Sequence, residues 1–315
     1  MEQLQFSLNA TVPIFLLMLV GYGIRRLGII NDAFTKTLDT FTFKVSLPIL
    51  LIRDLAESDF YSVWDTEYVL FCFLVTLTCI VALCILVSLF CRDKDIRGEL
   101  IQASYRSSAA ILGIAFITNI YGSVGVAPLM IIGTVPLYNL SAVLILSFTG
   151  PNAAGFDKAS IRKSIIGIIK NPIILAIFIG MVLSALPIEY PVIVQKTVGS
   201  IASVTSPMAL IGLGAGFQGK KALKLIKPTL FATFCKLFLF PALFLPLALS
   251  FGFTGEKLIS LLIMLGSPTT VSCYIMARNM HHEGVLTSSA VMLTTLLSSV
   301  SLTLYLFILR SLGVI

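Results

Sequence analysis

One arginine is unusual among the apolar stretches of this chain. Arg106 is followed by Ser107 and Ser108, and long apolar runs lie on both sides of this polar segment. A guanidinium group binds a carboxylate through two parallel hydrogen bonds, and neighbouring hydroxyl groups can add further donors. Arg106 is therefore a candidate ligand for an organic anion. The alternative is that its side chain extends toward the nearer membrane interface and binds nothing.

A second polar segment lies in the ninth apolar stretch, around Pro268. Proline lacks an N–H and clashes with the preceding turn, so a helix should bend or break there. The surrounding hydroxyl groups can satisfy backbone groups that a break exposes; they belong to Ser267, Thr269, Thr270 and Ser272. A helix that restarts after such a break presents an N-terminus that attracts anions. The alternative is a simple kink.

Three further charges lie in apolar stretches, where each needs a partner or a function. Asp39 and Lys44 are close enough in sequence to suggest that they pair with each other. Asp39 is also the inner carboxylate that could carry a coupling proton. Lys236 lies deep in its stretch and either serves transport or ties its helix to a carbonyl of a neighbouring one.

Two uncharged polar residues complete the candidate set. Ser46 lies beside Pro48, and Pro207 occupies the corresponding position in the second half, so both helices should bend. Asn139 is an amide in apolar surroundings. It is either a binding residue or a hydrogen-bonded link between helices.

The elements that hold these residues are predicted to be membrane-spanning helices. The mean hydropathy of +1.00, with 57% hydrophobic and 12% charged residues, excludes an ordinary soluble domain. Continuous apolar runs without two-residue alternation favour helices over barrel strands. Ten spans are predicted, at about 8–27, 36–53, 67–91, 98–121, 124–148, 164–187, 192–217, 228–252, 257–280 and 285–311.

The two halves of the chain resemble each other at an offset of 159 residues. The matched positions are Pro13 with Pro172, Gly21 with Gly180, 45–48 with 204–207, and 125–126 with 284–285. Five spans per half would make the second copy enter the membrane from the opposite side, as in secondary transporters. We therefore predict two inverted five-helix repeats, 1–148 and 164–315, joined by a cytoplasmic linker at 149–163.

The charges of the loops predict the orientation. Most of the 22 Lys and Arg residues fall in loops on one side, which the positive-inside rule assigns to the cytoplasm. Both termini of this multi-pass protein should then lie outside the plasma membrane. The net charge of +7 reflects these loops and does not indicate nucleic-acid binding.

Several other patterns carry no site. The segment 214–221 nearly matches a phosphate-binding loop, but Lys221 stands where Ser or Thr would hold Mg²⁺, and the segment ends a membrane span. His281 and His282 have no acidic or thiol cluster beside them, and the six cysteines resemble small apolar residues. We predict no metal, no cofactor and no enzymatic activity.

Several segments resemble the auxin efflux carrier family, whose bacterial members include malate and malonate permeases. The matching segments are 45–48, 105–108, 137–139, 267–278, 285–289 and 293–297. The resemblance implies ten helices in two inverted repeats, with broken helices four and nine crossing at the substrate site. It also implies a scaffold, a mobile transport domain, and organic anions as substrates. The first crossing departs from the family pattern, because Ser108 and 113–115 stand where Asn and Pro are usual.

We therefore expect a secondary transporter that moves a small mono- or dicarboxylate by elevator-type alternating access. The competing hypothesis is a membrane sensor that keeps the fold but does not transport. Coupling to protons or Na⁺, and assembly as a homodimer, are left open by the sequence.

Overall fold

A computed structural model describes residues 2–56, 64–109, 117, 120–121, 126–149, 166, 169–184, 186 and 190–315. Regular structure in these residues is helical, apart from one antiparallel bridge between Ser107 and Thr269. The helices are α1 (Glu2–Arg26), α2 (Asp32–Phe41), α3 (Leu47–Ala56), α4 (Thr66–Phe90), α5 (Arg97–Tyr105), α6 (Ala127–Thr149), α7 (Pro172–Ser184), α8 (Val192–Ser203), α9 (Thr205–Ala215), α10 (Gly219–Lys224), α11 (Ile226–Phe234), α12 (Phe240–Ser250), α13 (Gly255–Gly266), α14 (Ser272–Asn279) and α15 (Val285–Ser311).

Five helical stretches in the described residues are long and apolar enough to cross a membrane. They are Thr66–Phe90, Ala127–Thr149, Val192–Ala215, Ile226–Ser250 and Val285–Ser311. The third stretch comprises α8 and α9, and the fourth comprises α11 and α12. The predicted all-helical class is thus confirmed. The predicted linker at 149–163 lies outside the described residues, apart from Thr149, which ends α6.

Two of the long helices contain a widened turn just before a proline. The π-helical turns Thr42–Ser46 and Cys235–Leu239 each end two residues before a proline, Pro48 in one case and Pro241 in the other. Proline offers no N–H to the carbonyl four residues earlier, so the helix shifts locally to longer-range bonding. Each of these turns also contains one lysine. The bend predicted near Pro207 takes another form, since α8 ends and α9 begins around Val204.

The helices pack in two groups. The first contains α1, α2, α3, α7, α8 and α9, with α1 packed along α9 and α3 along α7. The second contains α4, α5, α6, α11, α12, α13 and α15. Helix α14 contacts members of both groups, and α1 also packs against α15. Each group has its own cluster of buried apolar side chains, and α6 and α14 contribute to the cluster of the first.

Two glycines allow the closest packing within the first group. A Cβ at Gly21 of α1 would overlap the backbone of Ile211 in α9. A Cβ at Gly180 of α7 would lie 3.2 Å from Cα of Ile52 and 2.9 Å from Cβ of Leu55, both in α3. The two isoleucines are separated by the same number of residues as the two glycines. The same kind of contact thus occurs at corresponding positions of the two halves.

One end of the second group is held by an ion pair. Asp65 accepts a hydrogen bond from the backbone N–H of Tyr68 at the start of α4 and pairs with Lys257 of α13. The Tyr68 hydroxyl donates to the Lys257 carbonyl over 3.0 Å. The hydrogen bond from Lys257 lowers the pKa of Asp65 below its usual value, and the hydrogen bond from the Tyr68 N–H makes a smaller contribution in the same direction. This pair joins α4 to α13 beside the aromatic ring of Phe253.

Candidate functional site

The two polar segments meet in the structure. Helix α5 ends at Tyr105, and Arg106 is in an extended conformation. Helix α13 ends at Gly266, Ser267 is extended, and a helix restarts at Ser272. The bridge between Ser107 and Thr269 joins the two non-helical segments. The continuation of the first segment beyond Ala109 lies almost entirely outside the described residues.

Side chains and backbone groups stabilise this crossing. The Ser108 N–H donates to the Pro268 carbonyl over 3.0 Å, and the Thr269 hydroxyl donates to the Ala103 carbonyl over 2.8 Å. The Thr269 N–H donates to the Thr294 hydroxyl of α15. These bonds satisfy backbone groups that lack helical partners, as membrane-embedded backbone requires. The hydroxyl group of Thr269 therefore helps to hold the crossing together, and the break at Pro268 is more than a simple kink.

Arg106 lies at the crossing with 2% of its surface exposed. Its Nη2 donates to Asn139 Oδ1 over 2.8 Å and to Ser272 Oγ over 2.9 Å. Its Nη1 contacts the Met276 sulfur at 2.8 Å, and its Nε has no hydrogen-bond partner. No carboxylate in the described part of the chain lies within ion-pair distance of Arg106. The alternative, in which the Arg106 side chain extends to the membrane interface, does not agree with this burial.

Lys236 provides a second buried cation behind the crossing, and 1% of its surface is exposed. Its Nζ donates to the Leu265 carbonyl over 2.7 Å, to the Met264 carbonyl over 3.2 Å, and to the hydroxyl of Ser107. These carbonyls end α13, where the helix dipole is negative. The predicted tie between Lys236 and a neighbouring helix is therefore present. The ammonium also contacts Ser107, which is part of the crossing.

A cavity of about 150 Å³ lies beside the crossing, between the two packing groups. Its polar lining residues are Asp54, Arg106, Ser107, Ser108, Tyr138, Asn139, Thr205, Ser206, Thr270 and Ser272. The carboxylate of Asp54 pairs with Arg53 over 2.7 Å. The rest of the wall is apolar, including Leu47 and Leu210. A cavity of roughly this size holds a benzene-sized molecule. A few polar groups in an apolar wall are typical of small-molecule sites.

The structure brings together six of the ten predicted binding residues at this cavity: Arg106, Ser107, Ser108, Asn139, Thr270 and Ser272. The other four do not line it. Pro268 and Thr269 build the crossing. Ser267, in the same segment, and Ser46, in the π turn before Pro48, are buried with unpartnered hydroxyl groups. Sequence reasoning missed Tyr138, whose hydroxyl donates to the Met264 carbonyl, although it directly precedes Asn139.

Asp39 and Lys44 do not pair. Asp39 Oδ2 lies 3.8 Å from Arg278 Nε, and the Asn279 side chain donates to the Asp39 carbonyl over 3.2 Å. Lys44 is exposed on the helix surface. Positions five apart in a helix point about 140° away from each other, which explains why the proposed pairing was wrong. Asp39 instead connects α2 to α14, and thus the first group to the crossing segment.

A buried carboxylate that sequence reasoning missed holds the start of the last helix. Glu99, 2% exposed, accepts hydrogen bonds from the Gly284 N–H over 2.7 Å, the Thr287 N–H over 3.0 Å, and the Thr287 hydroxyl over 3.1 Å. It therefore caps the N-terminus of α15 from α5, where an acidic group is favoured. Gly284, in a left-handed conformation with φ 73°, precedes that helix. The cap links the arginine-bearing segment to α15.

Glu99→Ala should lower the free energy of unfolding by about 3 kcal/mol, because buried N–H groups lose a charged acceptor. Thermal unfolding of the purified protein in detergent measures this loss. Glu283→Gln is the matched control, since Glu283 lies in the loop before α15 and pairs with Lys221 at the exposed surface. Equal melting temperatures for the two variants would show that Glu99 does not stabilise the fold.

The fold and this site define a helical membrane protein with a small, largely apolar cavity between its helices that contains a few polar groups. The chain belongs to the membrane transport protein family, the auxin efflux carriers, whose family model matches residues 6–306. It is also similar to the "Putative malonate transporter" of Rhizobium meliloti (strain 1021), with 24% identity over 317 residues and 95% of each chain covered. The family resemblance seen in the sequence motifs is confirmed. The family is one of transport proteins, in agreement with the expected absence of enzymatic activity.

Proposed function

We propose that this protein is a secondary transporter of a small organic anion, a mono- or dicarboxylate such as malonate or malate. The observation that carries the proposal is Arg106, a buried cation at the wall of a cavity, with no carboxylate partner among the described side chains. An isolated buried charge is costly and is usually compensated by a partner or a ligand. A substrate carboxylate in the cavity would supply that partner. The name of the relative from Rhizobium meliloti supports this substrate class.

Three sources of positive potential surround the cavity. Arg106 lines it, and Lys236 is hydrogen-bonded to Ser107, which also lines it. Helix α14 begins at Ser272 in the cavity wall, and the positive end of its dipole therefore lies at the cavity. Together these groups favour an anion over a neutral solute. The volume of about 150 Å³ favours a molecule of a few carbon atoms.

The proposed architecture has ten spans in two inverted repeats, 1–148 and 164–315, with crossing helices four and nine. The paired contacts of Gly21 with Ile211 and of Gly180 with Ile52 support this proposal, because both pairs recur at one offset. The equivalent packing of α1 on α9 and of α7 on α3 supports it as well. By the positive-inside rule, the loop between α4 and α5 faces the cytoplasm of the cell, and both termini face outward.

The cavity's position supports an elevator mechanism. Arg106 and Asn139 belong to the second group, which also holds the crossing through Lys236 and Glu99. The first group contributes mainly apolar residues of α3 and α9, together with the hydroxyl groups of Thr205 and Ser206 and the carboxylate of Asp54. If the second group moves as a body with α14, it carries most of the binding residues past a largely apolar wall. We assign the first group as scaffold and the second as transport domain.

Proteoliposomes containing the purified protein test this function. A panel of malate, malonate, succinate, lactate and indole-3-acetate should give a sustained, saturable charge movement or isotope counterflow for at least one anion. Liposomes without protein are the control. The absence of both current and counterflow for every anion in the panel would contradict the proposal. Saturable binding of an anion without flux would favour the membrane sensor instead.

A further inference from the structure

A basic crevice lies away from the crossing, at the end of the bundle that the loop charges assign to the cytoplasm. It has a volume of about 630 Å³ and lies between the end of α1 and the segment that joins α9 to α10. Arg26, Lys220 and Lys221 line it, and no acidic residue of the described chain does. Apolar side chains, including Met18 and Leu223, form its other wall. A cationic rim above an apolar wall matches the shape and chemistry of a phospholipid.

We propose that this crevice binds an anionic phospholipid, with the phosphate between Arg26 and Lys220 and an acyl chain along the apolar wall. Arg26 is oriented by its own helix, because its Nε donates to the Tyr22 hydroxyl over 3.1 Å and its guanidinium lies 5.2 Å from the Tyr22 ring centre. Its two terminal nitrogens have no acceptor among the described residues. They are free to form a bidentate contact with a phosphate.

The glycines of the 214–221 segment explain how the basic residues reach α1. A Cβ at Gly214 would lie 2.7 Å from the Met18 carbonyl carbon, so only glycine permits this approach of α9 to α1. The chain then leaves α9 at Gly216, and Lys220 and Lys221 follow within the short helix α10. The segment that resembled a nucleotide-binding loop thus has a packing role. The lysines that it positions are the ones that line the crevice.

The apolar wall and the volume distinguish this crevice from the substrate cavity. It is about four times as large as the 150 Å³ cavity, and Leu223 at its edge is 72% exposed. An exposed leucine beside cations at a membrane interface suits acyl chains rather than a small soluble anion. The cytoplasmic leaflet carries anionic lipids that attract clustered Lys and Arg. The crevice therefore suits phosphatidylglycerol better than the zwitterionic phosphatidylcholine.

The test compares lipid retention in the full-length protein and in R26Q/K220Q by native mass spectrometry, after exposure to equal phosphatidylglycerol and phosphatidylcholine. The wild-type protein should retain phosphatidylglycerol preferentially. In the double variant, the ratio of retained phosphatidylglycerol to phosphatidylcholine should fall about tenfold. R92Q/K94Q is the control, because Arg92 and Lys94 are exposed on the same proposed side but do not line the crevice.

Equal retention of the two lipids by the wild-type protein would overturn the proposal. Unchanged retention in R26Q/K220Q, or an equal loss in the control, would also overturn it. If the double variant does not fold, R26Q alone should still reduce the preference, since it removes the one cation at the rim held by an aromatic ring. The readout is lipid binding and does not depend on transport.

Discussion

Arg106→Ala is expected to reduce substrate transport by about 100-fold or more. The guanidinium is buried at the cavity, and the proposed substrate carboxylate would be its counter-ion. Removing one member of a buried, hydrogen-bonded charge pair costs about 2–5 kcal/mol. A cost of about 3 kcal/mol, near the middle of this range, corresponds to somewhat more than 100-fold. The loss should be seen in the uptake of labelled malonate into proteoliposomes. Arg106→Lys should recover only part of it, because an ammonium cannot bind bidentately to a carboxylate.

Two controls distinguish a loss of substrate binding in Arg106→Ala from misfolding of the variant. Arg92→Ala, an exposed arginine of the loop before α5, should transport at the wild-type rate. Arg106→Ala should elute as a single species in gel filtration, because the relief of the desolvation cost of the guanidinium offsets the hydrogen bonds that Asn139 and Ser272 lose. Uptake by Arg106→Ala within threefold of wild type would show that this arginine does not bind the substrate. The site would then have to rely on its hydroxyl groups and on the α14 terminus.

The central part of this site could be predicted from the sequence because its signals are local. A charged residue in a long apolar stretch is rare, and so is a proline surrounded by hydroxyl groups. Arg106 and Pro268 are such residues, and they identify the two segments that cross in the structure. Asn139 was recognised as a buried amide that needs a partner, and that partner is Arg106. In each case the cost of burying a polar group in lipid made the residue conspicuous.

The errors arose where three-dimensional packing decides the outcome. Ser46 and Ser267 have the right residue type beside a bend or break, but neither lines the cavity. Ser46 ends a π turn and Ser267 is extended, so regular helical spacing does not tell which side either residue faces. Glu99 lies at the start of a predicted span, close to the charged loop before α5, and no local pattern marks it as buried. Its burial depends on Gly284, 185 residues away. Long-range pairs of this kind leave no local pattern.

The prolines show a mixed result. Bends near Pro48 and Pro207 were expected from the missing N–H, and irregular helix geometry is present near both. The form of the irregularity, a π turn in one and an interruption in the other, depends on the neighbouring helices. The same π geometry before Pro241 rotates the helix around Lys236, and this effect was not predicted. Which face a lysine then takes cannot be read from the spacing of apolar residues.

Lys236→Met should reduce transport by about 30-fold for a monocarboxylate and by more for a dicarboxylate. The ammonium group of Lys236 does not line the cavity itself, but it contacts Ser107, and Ser107 lines the cavity. A unit charge about 8 Å away is worth about 2 kcal/mol at an effective dielectric constant of 20, for each negative charge of the substrate. Comparing labelled lactate and malonate uptake should therefore show the larger loss for malonate.

The Lys236 ammonium group is hydrogen-bonded to carbonyls at the end of a helix, and carbonyls of this kind bind Na⁺ in other carriers. Uptake by the wild-type protein should therefore not require Na⁺.

Lys236→Met should lose transport without losing thermal stability, and this combination distinguishes a functional role of Lys236 from a structural one. Burying an ammonium costs several kcal/mol, whereas the carbonyls of Met264 and Leu265 lose about 1–3 kcal/mol each without it. Lys236→Met should therefore melt no earlier than wild type while transporting poorly. Lys44→Met is the matched control, because Lys44 lies in the other π turn before a proline but is exposed. Its uptake should remain within twofold of wild type. If Lys236→Met transported as well as Lys44→Met, the cation behind the crossing would have no part in moving the anion, and Arg106 alone would have to compensate its charge.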